Sequence, residues 1–148
     1  MHPRWWSQED FEVMSWHDCH VHSLRVAEGT HGSGVLELDI DYILEWRQDK
    51  EKYIFLVVPA KLSFHEVTDL HMSIDWKTPS AAMGPFSIAG VERTFEARAN
   101  YKANVWRLPV NWPSGLLAFE ASGFTQESWG REVISPTQIL QPPERSAA

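Results

Sequence analysis

In the run Trp16-His17-Asp18-Cys19-His20-Val21-His22, three histidines, a carboxylate and the only thiol of the chain fall within six residues. Imidazole, carboxylate and thiolate are the groups that ligate transition metals and relay protons. On a β-strand, alternate residues share a face, so His20 and His22 point the same way, as a two-histidine metal half-site requires, and Asp18 precedes them in line. Zinc takes at least three protein ligands, so a third must come from another element. Asp39 and Asp41 are the nearest acidic candidates in the strand that follows.

The register of that pairing tests the idea. Setting Leu24 opposite Leu38 and Val26 opposite Leu36 keeps both apolar sets on one face and places Arg25 across from Glu37, a favourable charge pair. Continued without interruption, this register sends His20 and His22 inward near Tyr42 and Ile40 and leaves Asp39 and Asp41 outside. The aspartates are then poor partners for the histidines. His17, Asp18, His20, His22 and Tyr42 form the candidate pocket, and no metal or cofactor is expected. The alternative is a metal-dependent hydrolase, with His20 and His22 as ligands supported by His17 or Asp18. Glu37, Asp39, Asp41 and Glu45 make a second candidate, an acidic docking face for a basic protein. Cys19 reads as a small buried hydrophobe rather than an activated nucleophile. No nucleophile elbow and no phosphate-binding loop is present.

The elements that position these residues are strands. Val35 to Trp46 alternates strictly, with Leu36, Leu38, Ile40, Tyr42, Leu44 and Trp46 on one face and Glu37, Asp39, Asp41 and Glu45 on the other. A charged turn at residues 47–52 leads to Tyr53–Val58, apolar on both faces like a central strand. Pro59 is expected to end it. Further strands are expected across 60–65 and 70–76, near 86–98, 101–108 and 116–122, with a loop at Thr78-Pro79-Ser80 and Gly84-Pro85. Ser7 ahead of Glu9 and Asp10 caps one short helix over about residues 8–15. The fold class is therefore all-β and mainly antiparallel, a sandwich or barrel of about eight strands with one short N-terminal helix.

At 148 residues with a 43% hydrophobic share, the chain suits one domain with its own core. Residues 1–134 are assigned to that domain and 135–148 to an extended, partly disordered tail marked by Pro136, Pro142 and Pro143. Eight tryptophans and seven phenylalanines supply core material, or the lining for a small apolar ligand. The net charge of −7 repels phosphate backbones, so nucleic acid is not an expected partner whereas a basic protein is. A single cysteine makes an intrachain disulfide impossible. With no secretory signal at the start and no apolar run long enough to span a bilayer, a cytoplasmic protein is expected.

Trp16-His17-Asp18 with Val21, then Leu38-Asp39-Ile40-Asp41-Tyr42-Ile43 and Pro59-Ala60-Lys61-Leu62-Ser63-Phe64, resembles a family of uncharacterised bacterial proteins of similar length, over roughly residues 11–76. An aromatic-His-Asp start leading into paired strands is also similar to some immunity proteins of bacterial toxin systems. No complete set of catalytic residues can be assembled from the sequence, so a non-catalytic domain that binds a protein partner or a small ligand is expected, and the resemblance implies its sharpest form, neutralisation of a basic toxin.

Overall fold

The computed structural model describes residues 2–77 and 83–147. The chain is 63% strand and 6% helix, and every strand pair is antiparallel. Its strands are β1 (Trp5–Ser7), β2 (His20–Glu28), β3 (Gly34–Asp49), β4 (Lys52–Ile74), β5 (Phe86–Ile88), β6 (Glu92–Ala97), β7 (Lys102–Trp112), β8 (Ser114–Glu120), β9 (Gly123–Ser128) and β10 (Val133–Ser135). The all-β expectation holds, but the strands are divided differently: 53–58, 60–65 and 70–76 run together in β4, the expected strand near 86–98 splits into β5 and β6, and β1, β9 and β10 lie outside those anticipated. The loop expected at Thr78-Pro79-Ser80 lies outside the described residues.

Six strands close on themselves in the order β4-β3-β2-β5-β7-β8 and back to β4. Closure is possible because β4 is long enough to serve two neighbours. It pairs with β3 as far as Val67 and with β8 from Thr68 onward. At that corner Glu66 and Asp69 take positive φ angles of 55° and 52°, which bend the strand out of one ladder and into the next. Closing a sheet in this way removes the edges that would otherwise seek partners.

Pro59 does not end β4, contrary to expectation. In an antiparallel ladder the amide and carbonyl of one residue point to the same side. The Pro59 carbonyl accepts from the Trp129 amide at 2.9 Å, so its nitrogen faces the gap between β9, which ends at Ser128, and β10, which starts at Val133. No ladder bond is lost there, and proline is tolerated.

Alternation builds the core. Leu36, Leu38 and Ile40 stand opposite Phe64, Leu62 and Ala60, and all six are fully buried. Each large apolar side chain so buried contributes roughly 1.5–3 kcal/mol of transfer free energy. Trp106, Phe119, Leu108 and Leu117 continue this face across β7 and β8. The interior is therefore filled by side chains. One depression of about 360 Å³ lies at the barrel mouth, lined in part by Val26, Leu36, Val67 and Leu70.

The N-terminal segment packs beside β9. Ser7 caps the turn that follows it, accepting from the Glu9 amide while Asp10 accepts from the Ser7 amide. The expected helix over 8–15 is a shorter 3-10 helix, Gln8–Val13. Its apolar anchor is the partly buried Phe11, which packs against Trp16, Trp106 and Phe124 at 5.9, 5.7 and 6.4 Å between ring centroids. One apolar anchor in six residues gives no amphipathic stripe to stabilise a longer α-helix.

The segment after β10 is packed, where partial disorder was expected. It crosses the outer face of β3 and β4, buries Leu140 to 1% exposure, makes a second 3-10 turn at Pro142–Glu144, and pairs Ala147 with Gly130.

Candidate functional site

The histidine segment departs from the regular strand at one residue. From Leu24 to Val26 the register is as expected, with Leu24 opposite Leu38, Arg25 opposite Glu37 and Val26 opposite Leu36. Between Val21 and Ser23 it shifts, because His22 is the extra residue of a β-bulge. Val21 then pairs with Ile40 and His20 with Asp41. The physical reason lies in the apolar residues. Val21, 1% exposed, and Leu24, packed on the core, are three positions apart and cannot share a face of a regular strand. The bulge absorbs the odd residue and lets both point inward.

The consequence reverses the earlier expectation. His20 and His22 lie on the outer side with Asp41, and His22 Nε2 donates to Asp41 Oδ2 at 2.6 Å. Asp41 is a partner of the histidine pair after all. Tyr42 stays inside, between Trp6 at 5.3 Å and Trp16 at 6.2 Å, with its pKa raised by burial. It is separated from the rest of the proposed pocket by the thickness of the sheet.

Asp41 is fully buried beneath the C-terminal segment. Besides His22, its Oδ2 accepts from the Leu140 amide at 2.8 Å, and its Oδ1 accepts from Arg145 Nε at 2.8 Å. Burial pushes its pKa up, but these bonds outweigh it and hold the carboxylate below its ordinary 3.8. Arg145 also donates to Asp39, at 3.0 Å from Nη1 and 2.8 Å from Nη2, and to the Ile40 carbonyl at 3.2 Å. Its guanidinium lies 5.2 Å from the ring centroid of Trp129, whose indole N–H donates to Asp39 at 3.0 Å. Two carboxylates, a carbonyl and an aromatic face thus enclose one guanidinium.

Asp18 occupies a separate corner. It lies in a turn ahead of β2 at φ 62°, a left-handed conformation that aspartate tolerates. It is not in line with the histidines. Its carboxylate accepts from Asn111 at 2.8 Å and Gln138 at 3.3 Å, while His17 donates to the Ala89 carbonyl at 3.1 Å and stacks on Trp46. His20 lies between this corner and Asp41. Burial lowers its pKa against the opposing charge of Asp41, and its Nδ1 has no hydrogen-bond partner among the described residues. Cys19 is completely buried, which pushes its thiol up to about 12.

The expected acidic face is divided. A second bulge, at Leu44, sets Glu45 opposite Leu56 and Trp46 opposite Phe55, so Glu45 turns away from Asp39 and Asp41, and Trp46 leaves the core to stand 45% exposed. Each acid has a cationic companion within the chain: Arg25 for Glu37, Arg145 for Asp39 and Asp41, and Arg47 for Glu45, which is also bonded to His2. Arg145, Trp129, Asn111 and Gln138 were missing from the sequence reading. A signal for the first existed, since Arg145 is the sole cation after Ser135 in a segment otherwise uncharged but for Glu144.

Among the described residues, no group of three or more His, Cys, Asp or Glu side chains is placed to hold a metal ion, and no helix is long and apolar enough to cross a membrane. Compared with protein-family models, with curated proteins and with solved structures, the chain matches none.

Proposed function

We propose that this chain is a non-catalytic binding domain, acting in the cytoplasm on a protein partner of opposite charge. The observation that carries the reading is that both oxygens of Asp41 are engaged within the chain. A general base or a metal ligand needs a free lone pair aimed at a reacting atom, and this carboxylate instead accepts from His22, Leu140 and Arg145. The residues richest in chemistry therefore serve to fasten the C-terminal segment to the barrel. The net charge of −7 supports a basic partner, and neutralisation of a bacterial toxin is the sharpest form of the proposal.

Elemental analysis of protein purified without chelator or affinity tag, paired with a hydrolase substrate panel, tests this reading. The expected result is no stoichiometric metal and no turnover. Zinc or iron near one equivalent, lost in both His20→Ala and His22→Ala, would overturn it in favour of the metal-dependent hydrolase.

A further inference from the structure

Resting on that binding-domain reading, we propose that Asp39, Asp41 and Trp129 form a receptor for an arginine side chain of a basic protein partner, which the chain's own Arg145 fills when the partner is absent. The receptor belongs to the barrel. Asp39 and Asp41 sit on β3, paired on one side with β2 and on the other with β4, and Trp129 directly follows β9. The occupant arrives on a segment with little ladder bonding. Between β10 and the end of the described chain, the backbone joins the barrel through the Leu140 amide on Asp41, the Arg131 amide on the Ser146 carbonyl, and the Gly130–Ala147 bridge.

The chemistry selects arginine over other cations. Asp39 takes two parallel N–H bonds from Nη1 and Nη2, Asp41 takes the Nε–H from the side, and Trp129 covers a face of the plane. An ammonium group has neither the fork to span two carboxylates nor a plane to stack. With Arg145 in place Asp41 is fully buried, so the pair is shielded from water as a chance surface contact is not. A neutral occupant would leave that charge unpaired.

A ligand tethered in this way has an effective concentration of roughly millimolar, so a single free arginine competes poorly and a partner must add contacts of its own. The chain's negative charge gathers basic partners and raises their local concentration. Lifting the segment would also release Asp18, now bonded to Gln138.

The test is a titration of isotope-labelled, full-length Arg145→Ala protein with N-acetyl-arginine amide, and with the corresponding lysine and citrulline amides as controls. The indole N–H resonance of Trp129, which donates to Asp39, is the reporter. The arginine probe is expected to bind roughly tenfold more tightly than either control and to shift that resonance, with a much weaker response in the wild type. Equal binding of the three probes, binding that leaves the Trp129 resonance in place, or an equal response in wild type and variant would overturn the proposal. Should Arg145→Ala fail to fold, Arg145→Lys takes its place and the same ranking is required. Metal content and turnover are untouched by this titration, so a negative result here leaves the binding-domain reading standing or falling on its own experiment.

Discussion

Arg145 Nε donates to Asp41 Oδ1 at 2.8 Å across 104 positions of sequence, and this bond ties the end of the chain to the centre of the barrel's outer face. Its weight is best seen against an exposed pair that joins β2 to the same strand, β3. Arg25 and Glu37 lie 3.1 Å apart with side chains 67% and 24% exposed, whereas those of Arg145 and Asp41 are 10% and 0% exposed. Solvent-exposed pairs contribute about 0–1 kcal/mol, while removing one member of a buried pair strands the other and costs about 3–5 kcal/mol. Glu37→Ala should therefore change stability by no more than about 1 kcal/mol and Asp41→Ala should lose about 3–5 kcal/mol in urea unfolding. Equal losses would place the stabilisation elsewhere.

Acid should loosen the fold in two stages. The His20 pKa is lowered from 6.5, so as pH falls below that value the unfolded chain binds a proton that the folded chain refuses, and stability declines. The Asp41 pKa is lowered from 3.8, so its contribution is complete above that value and is lost as pH falls through the folded pKa. Melting temperature against pH should thus slope down from about 6.5 and steepen below about 3.8. His20→Gln should flatten the first region alone and Asp41→Asn the second. A profile unchanged by either substitution would refute the assignment.

Cys19 should be inert in the native protein. The thiolate is the reactive form, and burial raises this thiol to about 12, so almost none is ionised at neutral pH and no reagent can reach it. Labelling with a thiol-specific chromogen at mildly alkaline pH should proceed only at the rate of unfolding and become immediate in denaturant. Fast labelling of the folded protein would show that β2 opens locally.

The parts legible in the sequence are those governed by neighbouring residues. The hairpin of β3 and β4, the pairing of Leu24 with Leu38 and Val26 with Leu36, and the Arg25–Glu37 contact follow from alternation and charge within short spans. Two kinds of feature escaped. Bulges at His22 and Leu44 change which residues share a face, and their traces are subtle: Cys19 and Val21 claim the core from odd positions, Leu24 from an even one. The Arg145 cradle escaped because its partners are brought together by tertiary folding, which local pattern does not encode. With Asp39 and Asp41 read as solvated, nothing nearby suggested that a distant arginine would cover them.

That switch of parity gives the fold its most specific test. Deleting His22 places Ser23 directly after Val21, and the sequence Val21-Ser23-Leu24 then alternates inward, outward, inward against Ile40, Asp39 and Leu38 with no bulge. Every core residue keeps its partner, and the losses are the His22–Asp41 bond and local relaxation, about 1–3 kcal/mol. Deleting Glu37 removes one residue from a strand paired on both sides. Leu36 and Leu38, both fully buried, would then fall on opposite faces, and a fully buried leucine forced out of the core costs about 2–5 kcal/mol before either ladder is counted. The His22 deletion should therefore yield a folded protein with a moderately lower melting temperature, and the Glu37 deletion an unfolded one. If the two deletions are equally damaging by circular dichroism and thermal melting, His22 is not the residue that the bulge accommodates.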